Sequence, residues 1–138
     1  MLSFGKFNLG IKLKITYLFL ITFICLQAVI RLWPLTNSPW DNNSLSGGSF
    51  EVTKLGGYYI LQNDVSFDDL KNKILQTPRF RIISDGPLFV GIVRSWFWGF
   101  PDMIELWYDD GVHVRGHLMF GVYDLGANKK RILAWLDW

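Results

Sequence analysis

A chain of 138 residues has room for one small domain and an appendage. Half of it is hydrophobic and 17% aromatic, and its net charge of +2 comes from the N-terminal segment: after Pro34 ten basic residues face all twelve acidic ones, a balance of −2. That excludes a basic nucleic-acid surface, and the single cysteine, Cys25, excludes an intrachain disulfide or thiol chemistry in a downstream domain.

The first 14 residues hold three lysines and no acid, and Ile15 to Ile30 is a charge-free run. As a helix that run is about 24 Å long, slightly short of a hydrocarbon core of about 30 Å. Lys14 and Arg31 can snorkel, and Leu32 and Trp33 extend the run as an interfacial anchor. A cleaved signal peptide is the rival reading, with Gln27-Ala28-Val29 a poor cleavage site. Residues before Cys25 lack the small side chains of a lipidation signal. The favoured reading is a single-pass anchor over residues 1–33, in contact with membrane lipid through 15–33. Lysines before the span put the N-terminus in the cytoplasm and the domain on the periplasmic or equivalent extracytoplasmic side.

Residues 34–49, rich in Pro, Asn, Ser and Gly, read as a linker that Trp33, at the end of the anchor, and Trp40 keep at the headgroup level. The domain then occupies 50–138. Phe50 to Leu61 is extended, with a break at Gly56-Gly57. Ser66 caps a helix whose first turn holds Asp68 and Asp69 and whose apolar face is Phe67, Leu70 and Ile74; Thr77-Pro78 ends it. Phe80 to Ile83 is a strand, Ser84 to Pro87 a turn, and Leu88 to Trp98 one long strand or two, bulged at Gly91.

Asp109-Asp110-Gly111 then separates two alternating runs. A two-residue loop would mix charge into the apolar face. A three-residue loop with Gly111 left-handed pairs Tyr108 with Val112, Leu106 with Val114 and Ile104 with Gly116, and sets Glu105 against Arg115, Trp107 against His113 and Met103 against His117. The second register is selected. It turns Ile104, Leu106, Tyr108, Val112, Val114, Leu118 and Phe120 to the core, and leaves Glu105, Trp107, His113, Arg115 and His117 on a partly wet face. Beyond it lies a polar junction. Asn128 is a candidate N-cap for a closing helix, Asp124 can offer a carboxylate to helix N–H groups, and Arg131 can reach Asp124 or Asp102.

Gly99-Phe100-Pro101-Asp102, Val114-Arg115 and the spacing Gly121, Asp124, Gly126, Asn128, Arg131-Ile132 together resemble the domain of unknown function 1499 (DUF 1499) family. The resemblance covers the last half of the chain well and the middle loosely. It implies a small α+β domain, often membrane-tethered or exported, and no established reaction. Members usually follow Val-Arg with a Ser-x-Ser-Arg run; here Gly116-His117-Leu118-Met119 stands instead.

The expected architecture is therefore α+β: an N-terminal transmembrane helix, then a mainly antiparallel sheet packed by two helices. His113 and His117, about 13 Å apart along one strand, cannot share a metal ion. No serine sits in a nucleophile elbow and no glycine loop cradles phosphate. Neither a catalytic set, a cofactor nor a metal is expected, and Phe100, Pro101, Asp102, Arg115, Gly121, Asp124, Gly126, Asn128 and Arg131 read as scaffold. Trp96 and Trp98, with Trp107, Trp135 and Trp138, form a candidate partner surface. The functional expectation is a non-enzymatic accessory or assembly subunit of a larger membrane protein complex. The alternative is a carrier or enzyme for an apolar ligand (lipid, quinone or pigment) held between sheet and helix.

Overall fold

A computed structural model describes residues 4–32, 51–54 and 56–137, with side chains from residues 10–32 and 56–137. The linker, Trp33, Trp40, Phe50 and Trp138 lie outside the described residues. The chain divides into two compact units, Met1–Pro34 and Leu35–Trp138.

The first unit is one helix, α1 (Phe4–Leu32). Its apolar stretch, Gly10–Leu32, is 23 residues long, about 34 Å. That is long and apolar enough to cross a membrane, because the helix runs past the charge-free segment on both sides. Two of its hydroxyls are satisfied within the helix: Thr16 Oγ1 donates to the Lys12 carbonyl and Thr22 Oγ1 to that of Leu18, each at 2.9 Å. Most of its apolar side chains, Phe19 and Leu18 among them, are exposed, while Ile30 is buried.

The second unit is an α+β domain built from β1 (Glu51–Lys54), β2 (Gly57–Gln62), α2 (Phe67–Leu75), β3 (Phe80–Ser84), β4 (Leu88–Arg94), β5 (Pro101–Tyr108), β6 (Val112–Leu118) and α3 (Ala127–Trp135). The strands form one antiparallel sheet in the order β1-β2-β6-β5-β4-β3. The β5–β6 register is the three-residue-loop register, with Glu105 opposite Arg115 and Trp107 opposite His113. Asp110 takes the left-handed conformation (φ 49°), and Gly111 follows at φ 141°.

Alternation then decides the faces. Ile60, Val114, Leu106 and Phe89 form one row across β2, β6, β5 and β4. Leu70 and Ile74 of α2 and Ile132 and Trp135 of α3 complete the core. The α2 helix starts where Ser66 Oγ accepts the Asp69 N–H. Gly116 permits α3 to close on β6, since a Cβ there would stand 2.9 Å from Asn128 Oδ1.

Four expectations are corrected. Chain 95–100 is a loop, not a continuation of β4. The irregularity near Gly91 lies in the facing strand, between Ile82 and Ser84, while Gly91 itself pairs with Ile82 beneath the Phe80 ring. Tyr108 is 69% exposed, and Phe120, beyond the end of β6, is exposed as well; at the turn the core closes at Val112, and its partner Tyr108 stays outside it. Finally, the polar face is drier than expected: Arg115 is 2% exposed and His117 fully buried, with Glu105 and His113 buried too, and of the five only Trp107 keeps partial exposure. Mutual neutralisation makes that burial tolerable.

Candidate functional site

The β6–α3 connection builds the polar junction. Leu125 and Gly126 are both left-handed (φ 55° and 74°). That turn brings the Asp124 carboxylate over the start of α3, where Oδ1 accepts the Gly126 N–H at 2.9 Å and Oδ2 the Asn128 N–H at 2.8 Å. Gly126, not Asn128, is thus the N-cap residue. A carboxylate already served the helix N-terminus, so Asn128 lies buried in the first turn. Its Nδ2 donates to the Gly56 carbonyl at 3.1 Å and its Oδ1 accepts from Arg131 at 2.7 Å. Arg131 reaches Asp102 Oδ2 at 2.9 Å, not Asp124. Burial pushes the Asp102 carboxyl above its ordinary range, with Arg131 pulling the other way. Pro101 and Phe100 pin the end of β5: the Pro101 carbonyl accepts the Met119 N–H at 3.0 Å, and Phe100 stacks on Phe120 at 5.6 Å. Gly121 turns the chain there at φ 103°.

The second polar set lies on the sheet face away from α2 and α3. Tyr59, Arg115, Glu105 and Val90 form one row across the four central strands, and Leu61, His113, Trp107 and Leu88 the next. Arg115 donates through Nε and Nη2 to Glu105 Oε2, and its guanidinium lies 5.6 Å from the centre of the Trp107 ring. Burial alone would raise the Glu105 carboxyl. His117, whose Nε2 is 3.6 Å away, and the Arg115 guanidinium together outweigh it and hold the group below its ordinary range.

His113 is fixed by its two partners. The Asp109 carbonyl, 2.7 Å from Nε2, can only accept, so Nε2 carries a proton. In the neutral ring Nδ1 then accepts from the Tyr59 hydroxyl at 2.7 Å. Burial raises the Tyr59 phenol further, against the pull of Arg115, which keeps it a donor. The Trp107 and His113 rings stack at 4.8 Å, and Tyr59 lies 6.0 Å from Trp107. Beside this stack a cleft of about 400 Å³ opens at the rim of the sheet, lined by Leu88, Trp107, Tyr108, His113 and Arg115 together with Pro87 and Asp109.

Of the five tryptophans of the candidate partner surface, Trp138 lies outside the described residues and the other four do not form one patch. Trp96 and Trp98 stand exposed on the 95–100 loop, Trp107 lines the cleft at the other end of β5, and Trp135 is buried in the core. In Trp135 the indole N–H is used inside the domain, donating to Thr77 Oγ1 at 3.0 Å. Tyr59, Leu88 and Tyr108 were missed as site residues, although the strand register carries the signal that joins them. Among the described residues no three His, Cys, Asp or Glu side chains converge as a metal site.

A six-stranded antiparallel sheet with two helices on one face and a buried ionic row on the other defines a small α+β domain behind an apolar helix. The model of the family described as "Protein of unknown function (DUF1499)" matches residues 49–137, and the chain belongs to that family. No curated protein matches it.

Proposed function

We propose that the chain is a single-span, non-enzymatic accessory or assembly subunit of a larger membrane protein complex, with its domain on the periplasmic or equivalent extracytoplasmic side. The observation that carries this reading is the cleft at Trp107. Its wall is formed by Leu88, Trp107 and Tyr108 backed by Arg115, and Trp, Tyr and Arg are the residue types enriched at the centres of protein interfaces. The titratable groups around it are spent on one another: Glu105 on Arg115, and His113 between Tyr59 and the Asp109 carbonyl. A general base needs a lone pair open to substrate, and the Nδ1 lone pair of His113 already holds the Tyr59 proton. Lys6, Lys12 and Lys14 on the N-terminal side of the charge-free run Ile15 to Ile30, against Arg31 on its C-terminal side, support the sidedness.

The test is solubilisation of the tagged full chain in mild detergent, followed by size separation. The expected result is migration with a larger assembly, lost in a Leu88→Ser, Tyr108→Ala variant that still folds. A wild-type chain that runs alone under every gentle condition overturns the reading.

The alternative of a carrier for a lipid, quinone or pigment draws on the cleft's size, which lies within the range of small-ligand sites. Its place differs from the expected one. Between sheet and helices the space is filled by Leu70, Ile74, Phe89 and Ile132, and the cleft lies on the opposite face. Mass spectrometry of an organic extract of the purified chain tests it, an apolar molecule lost with Trp107→Ala being the expected result.

A further inference from the structure

We infer that the end of the domain bearing the 95–100 and 119–126 loops rests in the headgroup layer of the bilayer that α1 spans, with Trp96, Phe97, Trp98, Val122, Tyr123 and Leu125 as its contact surface. The inference rests on the proposed reading of α1 as a membrane anchor.

The two loops form one tip. Trp98 stacks on Phe100 at 6.2 Å and Phe100 on Phe120, which bridges the loops. All six contact residues are exposed, Trp96 at 76% and Leu125 at 87%. Scattered apolar residues on a surface need no explanation, but six large ones on two neighbouring loop tips do.

The 95–100 loop is built to present them. Ser95 N–H donates to the Phe100 carbonyl at 2.9 Å, Gly99 N–H to the Ser95 carbonyl, and Phe100 N–H to Ser95 Oγ at 3.0 Å. Arg94 closes the turn by donating to the Gly99 carbonyl at 2.9 Å, with Gly99 at φ 74°. Those backbone groups are satisfied from within, which an apolar medium requires. On the other loop Asp124 spends both oxygens on backbone N–H groups.

Charge chooses the occupant. Near the tip Arg79 and Lys130 are exposed, while among the described residues Asp102 is engaged with Arg131, Asp124 with the α3 N-terminus and Asp137 with Lys73. At the opposite end, in the β2–α2, β3–β4 and β5–β6 connections and the first turn of α2, lie Asp64, Asp68, Asp69, Asp109 and Asp110, together with Asp85, which is paired with Lys71. An anionic lipid surface attracts the first end and repels the second. Tryptophan and tyrosine, with an apolar ring and a polar edge, are the side chains enriched at that depth. The tether permits contact, because the chain from Leu32 to Glu51 spans at most about 65 Å. In this pose β5 stands the Trp107 cleft about 25 Å from the lipid, clear of the headgroups and open to a partner.

The experiment uses the full chain in a Cys25→Ser background, carrying an environment-sensitive fluorophore at Val122→Cys or, for the opposite end, at Gly86→Cys. Each is reconstituted into vesicles of phosphatidylcholine and phosphatidylglycerol with no other protein, and lipid-borne nitroxide quenching is read. Quenching several-fold stronger at position 122 than at 86, weakened by Trp96→Ser with Trp98→Ser and by removing phosphatidylglycerol, is the expected result. Equal quenching in a chain that resists carbonate extraction overturns the inference and leaves the anchor reading standing. Release by carbonate overturns the anchor reading, and the inference with it. A probe at 122 that is wet in these vesicles but shielded in native membranes makes a protein the occupant, and the inference falls.

Discussion

Arg131 of α3 and Asp102 of β5 meet at 2.9 Å across the sheet–helix junction, so one ion pair fixes the closing helix to a central strand. Arg131→Met leaves a buried carboxylate without its cation, at a cost of about 2–3 kcal/mol at neutral pH. Burial already holds the Asp102 carboxyl above its ordinary 3.8. A group raised in the fold stabilises fully below its unfolded value and loses that contribution as pH rises through the folded one. The variant's deficit, measured by denaturant unfolding, is therefore largest at neutral pH and shrinks as the solution is acidified.

Glu105 carries the opposite sign. Its folded carboxyl lies below the ordinary 4.5, so its contribution is complete above that value and fades as pH falls through the folded one. The midpoint of unfolding of the wild-type chain drops on the acid side, and Glu105→Gln flattens that limb. A variant with the unchanged acid slope would show that other carboxylates set it.

Arg115 and Glu105 are a buried pair with little solvent to replace a lost partner. Arg115→Met alone is expected to cost about 3–5 kcal/mol, and Arg115→Met with Glu105→Leu far less. A double-mutant cycle by chemical denaturation reads the coupling.

Gly91 lies beneath the Phe80 ring: a Cβ would stand 2.1 Å from its Cζ and 2.9 Å from the Arg81 carbonyl oxygen. Gly91→Ala is expected to destabilise by about 1–3 kcal/mol. Adding Phe80→Leu recovers only part of the loss, because the carbonyl belongs to backbone and stays. Thermal unfolding of the three variants checks the order.

Asp124→Ala removes the acceptor for two N–H groups at the start of α3, a loss of about 1 kcal/mol by the measure of other helix caps. Asp124→Asn retains part of it. Unfolding midpoints of the two variants separate the shape of the cap from its charge.

The β5–β6 register was legible because alternation offers two pairings and only one keeps Glu105 and Arg115 off the apolar side. Period-two alternation assigns sides and says nothing of what is covered, so the burial of Arg115 and His117 could not be read from it. Trp96-Phe97-Trp98 suits a strand by propensity, yet Ser95 and the left-handed Gly99 make it a loop. Asn128 has the chemistry of an N-cap, but Asp124 reaches the same N–H groups across the left-handed Leu125-Gly126 turn. The cleft stayed hidden for a related reason. Tyr59 and Leu88 join His113 and Trp107 only through strands far apart in sequence.

The strand order has a consequence for biosynthesis. The β1–β2 hairpin and the β3–β4 hairpin never touch edge to edge; β6 and β5 are inserted between them. Until the ribosome has delivered β5 and β6, each early hairpin keeps an inner edge of unpaired N–H and C=O groups open to stray pairing. The nascent chain is thus vulnerable to misassembly until β6 is complete, and truncation before Leu118 removes the keystone of the sheet rather than trimming its margin.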